Sequence, residues 1–396
     1  FRYAGGTDKF LLIIGIFGAI AHGIAAPIQF IIFGALIDSL VNFEKGTVSD
    51  LNDKMIELAL YYVYLAVGTL FVAYLQSGMF TYTAVLQAKK IQCNFFRAVL
   101  RQDIGWFDTY DLGELNNRLT EDVRKVKEGL GHKVGLAIQY TVTFIASFVI
   151  GFVYSWKLTL VMMSLTPLMV IAGMIIGKVG TRFVNKELNA YAKGHRAGAE
   201  EVLSSIRTVA AFGGEGKEYI RYDSFLDEAR SFGTRKGLAS GLGFGFFYII
   251  MFGSYALAFW YGGAVLVVDG NLNSGDLFVV FFAVMIGATQ LGQAGPNIEA
   301  IATARGAAHE LFAIIDRVPP IDSSSEAGAK PGNVTGDVTF NDIHFYYPSR
   351  NEVKVLNGLS LTVRSGQTVA LVGESGCGKS TVIKLIQRFY DPENGS

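Results

Sequence analysis

Six windows of this chain carry almost no charge: Phe10–Leu36, Leu58–Leu86, Val134–Tyr154, Leu158–Gly177, Leu238–Val268 and Leu277–Leu291. Nothing else in the sequence restricts the fold as strongly. A hydrocarbon core of about 30 Å is crossed by roughly 20 helical residues, so windows of this length read as transmembrane helices. A large soluble protein buries one such run, but not six. The stretch 134–177 is too long for one span and is interrupted by Ser155, Trp156 and Lys157, which predicts two helices joined by a tight turn. Of the 396 residues, 51% are hydrophobic and 17% charged, against about 25% charged in soluble domains. The charges lie in blocks between the apolar runs.

Basic residues set the orientation. Segments 87–133 and 178–237 together hold about 20 Lys and Arg, whereas the opposite loops near 42–54, 155–157 and 269–276 hold about three. The positive-inside bias therefore assigns both basic segments, and both chain ends, to the cytoplasm. Formal net charge is zero, with 34 basic and 34 acidic residues, so no nucleic-acid footprint is present. Cys93 and Cys377 both fall on the cytoplasmic side, where a disulfide is not expected. The chain opens on Phe1 with no signal-peptide pattern before its first span, and reads as a piece of a longer polypeptide.

The basic segments are periodic. Leu115, Leu119, Val123, Val126, Leu130 and Val134 recur every three or four residues, which predicts one helix running directly into the third span. Leu188, Tyr191, Ala199, Val202, Ile206 and Val209 form a looser stripe. Each segment has a break in periodicity, DIGWFDTYDLG at 103–113 and AFGGEGKEYIRY at 211–222. Trp106, Phe107 and Phe212 are expected to be exposed at these tips, and clustered exposed aromatics point to docking on another domain.

Residues 1–315 thus read as a helical membrane domain and 316–336, rich in Pro, Gly and Ser, as a linker. From 337 to 396 the pattern is that of a soluble α/β domain. VTFNDIHFYY and VKVLNGLSLTV alternate in strand fashion, and TVALVG (Thr368–Gly373) reads as a strand buried on both faces. GESGCGKST follows, then a helix, which is the setting a phosphate loop requires. Gly373, Gly376 and Gly378 let the backbone curl so that N–H groups point at phosphate oxygens. The helix beginning near Lys379 adds its positive dipole end. Lys379 reaches the terminal phosphates and the Ser380 hydroxyl ligates Mg²⁺. Glu374, Ser375 and Cys377 complete the loop and Thr381 follows it, so ATP with Mg²⁺ is the expected ligand. Hydrolysis also needs a carboxylate on Mg²⁺ and a group that orients water. Asp391 and Glu393 read as loop charge, so no residue here is assigned a catalytic role.

Taken together with YPSR (Tyr347–Arg350), SYALAFWYG (254–262), ARGAA (304–308), IRTVAAFGGE (206–215) and GWFD (105–108), this organisation resembles type IV ABC exporters of the P-glycoprotein (multidrug resistance) family. The resemblance covers essentially the whole chain, as their amino-terminal half. It implies a multi-pass protein of the plasma membrane, with its nucleotide-binding domain in the cytoplasm, that exports hydrophobic or amphipathic compounds by alternating access. It implies that Tyr347 stacks on adenine, and that the tips carrying Trp106, Phe107 and Phe212 are coupling helices. Phe30, Phe33, Phe252, Tyr255, Phe281, Phe282, Met285, Ile286 and Gln293 match positions lining the substrate cavity of the family. Implied partners are a second transporter half, the lipid bilayer and hydrophobic small molecules. Thr289 stands where the family pattern has an aromatic, so the substrate range is expected to differ. The outer loop after the first span has no N-x-[ST] sequon, and Asn333 of Asn-Val-Thr lies on the cytoplasmic side. A homodimeric half-transporter for lipid or peptide is the alternative within the class. A nucleotide-gated channel on the same scaffold is a further alternative, but spans five and six lack the charged residues expected of a pore.

Overall fold

A computed structural model describes residues 1–41, 48–194, 199, 201–270, 272–330 and 332–396. Its elements run α1 (Gly6–Val41), α2 (Val48–Leu100), α3 (Ile104–Thr109), α4 (Leu112–Asn117), α5 (Val123–Leu130), α6 (His132–Gly194), α7 (Glu201–Ser204), α8 (Ile206–Ala211), α9 (Glu215–Ala258), α10 (Ser274–Ile315), β1 (Val338–Tyr346), β2 (Lys354–Val363) and α11 (Lys379–Ile386). Five helical stretches among the described residues are long and apolar enough to cross a membrane. The remaining expected span lies within α6. There Ser155 leaves helical geometry (φ −158°, ψ 101°), and a β-carbon on Gly151 would sit 2.9 Å from Thr159 Oγ1. In a continuous helix those residues would be about 12 Å apart along the axis. The chain therefore folds back at the Ser-Trp-Lys turn, and α6 holds two antiparallel limbs.

The chain divides into two compact units. The first, Gly6–Thr81 with His132–Ala300, carries the apolar helices. Its burial is that of a membrane protein. Leu70 on α2 is 73% exposed while Gln76 is 2% exposed. Lipid solvates the apolar faces, whereas polar side chains must find partners between helices. His22 Nδ1 and Gln76 Oε1 share a hydrogen bond of 2.7 Å, and Gln76 Nε2 donates to Gln139 Oε1 at 2.9 Å. Phe148, Leu158, Met162, Leu266, Leu277, Val280, Phe281 and Val284 form the apolar core.

The second unit comprises Phe1–Gly5, Tyr82–Gly131 and Ile301–Ser396. The apolar stripe seen in the sequence is real: Leu115, Val123 and Val126 are buried against Ile91, Phe95, Leu311 and Ile314. The uninterrupted helix is not. A π-helical turn spans Arg118–Asp122, and the helix stops at Gly131 (φ −94°, ψ −130°) before α6 begins. Two successive steps of four residues, Leu115 to Leu119 to Val123, drift about 40° each on an α-helix. The wider π turn absorbs that drift and keeps all three on one face. The second stripe differs more: Leu188, Tyr191 and Ile206 are exposed, and neither α7 nor α8 buries a side chain.

β1 and β2 pair antiparallel, with Phe340 opposite Leu361 and Phe345 opposite Leu356. They enclose a small core with Val382 of α11 and Tyr390. TVALVG does not form the expected buried strand. Its backbone is irregular, and Val369, Leu371 and Val372 are exposed. A strand exists only through hydrogen bonds to a neighbour, and the sheet of the described residues has two members.

Candidate functional site

The phosphate loop is built as its residue types demand. Gly373, Gly376 and Gly378 have φ of 154°, 91° and 90°. Gly378 caps α11 in the left-handed region, where a side chain would be strained and would strike Leu356 at 2.7 Å. Lys379 Nζ donates to the carbonyls of Gly373 (2.7 Å) and Glu374 (2.5 Å) and lies 3.4 Å from Cys377 Sγ. Glu374, Ser375, Gly376, Cys377 and Ser380 are exposed and Thr381 is buried. An ammonium held by carbonyls and a thiol, with no acidic partner among the described residues, fits a phosphate group. So do the exposed Ser380 hydroxyl and the N–H groups opening α11.

Tyr347, just beyond β1, is joined to this loop. Its hydroxyl and Thr381 Oγ1 share a hydrogen bond of 2.9 Å. Phe345 and Tyr390 pack edge-on against its ring at 5.1 and 5.3 Å, and the Lys384 ammonium lies 5.1 Å from the ring centre.

The tip of the first basic segment is α3. Asp103 caps it, accepting from Trp106 N–H at 3.0 Å, and also accepts from Arg317 Nη1 at 2.8 Å. Arg317, just past α10, bonds Gln102 as well. Trp106 and Phe107 are half-buried, contrary to the expectation that they are exposed. Trp106 stacks on Tyr110 at 4.5 Å, and both Trp106 and Phe107 pack on the helical core. The side chain that reaches the ATP-binding segment is instead Asp108, whose Oδ2 accepts from the Tyr390 hydroxyl at 2.6 Å. A β-carbon at Gly105 would meet the Pro348 ring at 3.2 Å. Tyr390 is 5% exposed. Burial, then the adjoining Asp108 carboxylate, pushes its phenol well above the ordinary range. In the sequence Tyr390 closes the helical stretch after the phosphate loop, just before Asp391-Pro392, and nothing but its aromatic side chain marks it. Asp391 is indeed local, pairing with Arg388 at 3.0 Å. Phe212, at the second tip, is 85% exposed as expected.

Of the nine residues matched to a substrate cavity, six form one aromatic chain across α1, α9 and α10. Phe30 stacks on Phe282 (5.5 Å) and Phe33 meets it edge-on (5.6 Å). Phe282 contacts Phe281 (4.9 Å), Phe281 contacts Tyr255 (4.9 Å), and Tyr255 contacts Phe252 (5.7 Å). Their settings differ: Phe281 is 1% exposed and belongs to the core, whereas Phe252 is exposed. Met285 packs beside Ile250 and Ala288. Ile286 is half-buried, and Gln293 is exposed with its carbonyl accepting from Asn297.

Comparison with known proteins places these features in a family. The ABC transporter transmembrane region matches residues 12–289, and the ABC transporter domain matches residues 356–396. ATP-binding cassette sub-family B member 5 of Homo sapiens is 43% identical over 409 residues, covering 100% of this chain and 32% of that protein. ABC transporter B family member 2 of Dictyostelium discoideum is 40% identical, covering 100% and 29%. Multidrug resistance protein pgp-1 of Caenorhabditis elegans is 39% identical, covering 100% and 31%. The chain spans about a third of the length of the curated relatives it matches.

Proposed function

This chain belongs to the ABC transporter family, joining its transmembrane region to the start of its ATP-binding domain, and from that premise we propose that the whole protein exports hydrophobic or amphipathic compounds across the plasma membrane at the expense of ATP. The observation that carries the proposal is the hydrogen bond from Tyr390 to Asp108. It ties the tip of a helical extension to the segment bearing the phosphate loop.

Gly373, Gly376, Gly378 and Lys379 would hold the phosphates, Ser380 the Mg²⁺, and Tyr347 the adenine ring. ATP hydrolysis supplies the free energy, completed by a second nucleotide-binding domain. Within this chain, Thr381 links Tyr347 to the phosphate loop, and the Tyr347–Tyr390 edge contact carries a displacement there toward Asp108. α3, pinned by Arg317 to the end of α10, then moves with it. Such transmission requires that ATP favour one conformation over the other. The aromatic chain suits substrates of many shapes, because π-faces and Met side chains adapt. The name of the pgp-1 relative, a multidrug resistance protein, supports that reading.

The test is ATP turnover by the full-length protein in lipid, against a panel of hydrophobic compounds. Stimulation by several of them, with their accumulation in inside-out vesicles, is the expected result. No change in rate and no accumulation with any compound would remove the proposal.

A further inference from the structure

The first turn of α10 is capped from another helix. Every helix begins with N–H groups that have no partner within it, and the residue just before it normally supplies one. Asn273 holds that position, and its side-chain amide donates to Asp276 Oδ2 at 2.9 Å. The acceptor for Gly275 N–H is Asp38 Oδ1, at 2.7 Å, from the last turn of α1 and 237 positions away in sequence. Gly275 makes this approach possible. A β-carbon there would lie 2.5 Å from the Asp38 carboxylate and would also run into the Gly34 carbonyl.

This contact ends a zipper. Phe30, Gly34 and Asp38 recur every four residues along one face of α1. They meet Phe282, Val279 and Gly275 in turn along α10, so the helices run antiparallel in register. The aromatic residues matched to substrate lie at one end of the zipper. Asp38 closes the other end, beside the loop that the charge bias places outside.

We propose that Asp38 is the latch of the outer gate, a positioning residue that holds α1 against α10 until the path beyond Phe30 and Phe282 opens outward. This rests on the export reading above. Opening separates the carboxylate from the Gly275 N–H, so the cap stabilises the outward-closed state only.

The experiment uses the full-length transporter in lipid nanodiscs, with a dye pair on unnatural amino acids at Leu40 and Val268, both exposed. In the parent protein ATP should lengthen the distance between them. Asp38→Ala should raise the open fraction without ATP by about fivefold, the size of a lost N-cap. Gly275→Ala, which wedges the same contact, should shift it the same way. Asp38→Asn retains an acceptor and should restore parent behaviour. If the parent opens with ATP but Asp38→Ala and Gly275→Ala open no more readily, the latch is overturned alone. If Asp38→Asn behaves as Asp38→Ala, the capping bond is not what holds the gate. A parent distance insensitive to ATP overturns the export reading and the latch together.

Discussion

Tyr390 donates its phenolic hydrogen to Asp108 across 2.6 Å, joining residues 282 positions apart. Tyr390→Phe keeps the ring against Phe345 and Tyr347 and removes this bond alone. A hydrogen bond of this kind contributes about 1 kcal/mol net, equivalent to roughly a fivefold change in an equilibrium. Compound-stimulated ATP turnover should fall about fivefold while nucleotide still binds. A double-mutant cycle with Asp108→Ala, which removes the acceptor, should give a coupling energy near 1 kcal/mol. Strict additivity of the two changes would show that the contact transmits nothing.

The same bond predicts a flat pH profile on its alkaline side. Tyr390 has its folded-state pKa raised, by burial first and the Asp108 contact second. Its stabilising contribution is therefore complete below the unfolded value of about 10 and is lost only as pH rises through the higher folded value. Thermal stability of Tyr390→Phe relative to the parent should thus show a constant deficit between about pH 7 and 9. A deficit that shrinks across that interval would mean the phenol is ionising and the assigned environment is wrong.

Lys379 has carbonyl and thiol partners in place of an acidic one. Lys379→Met in the full-length protein should lower ATP turnover by at least about a hundredfold, as loss of a charge that stabilises the transition state does. Binding of a hydrophobic compound, followed by fluorescence quenching, should persist. Transport at the parent rate would sink the assignment of the loop.

Tyr347 offers a separation of ring from hydroxyl. Tyr347→Phe loses only the bond to Thr381, whereas Tyr347→Ala also removes the aromatic face. Aromatic stacking on a base is worth about 1–3 kcal/mol. ATP affinity measured by calorimetry should therefore weaken about tenfold or more for the alanine variant and much less for phenylalanine. Equal losses would place the adenine elsewhere.

Much of this architecture was legible because it follows from local rules. Apolar length sets the spans, Ser155–Lys157 mark the reversal within α6, and the glycine spacing of 373–378 sets the loop. The features that escaped depend on contacts between distant residues. TVALVG has the composition of a strand, but a strand requires neighbours that composition does not record. Trp106 and Phe107 have the character of a docking patch, yet they turn inward because Asp103 and Arg317 fix α3 against the helical core. That leaves the polar Asp108 to make the contact. Asp38 gave no signal at all: a lone carboxylate at a helix end reads as surface charge until α10 is found beneath it.

Phe281 and Phe252 share a family resemblance to cavity residues but differ in burial, and that difference separates packing from recognition. Phe281 sits in the core with Leu158, Val280 and Val284. Phe281→Ala should cost about 3–5 kcal/mol, the range for emptying an aromatic site, seen as a lowered Tm in detergent. Phe252, exposed on α9 and touching Tyr255 and Tyr248 by its edge and face, leaves no such void. Phe252→Ala should hold Tm within a few degrees, as surface substitutions do, and change which compounds stimulate ATP turnover. Reversed outcomes, a destabilised Phe252 variant and a stable Phe281 variant with altered selectivity, would exchange their roles.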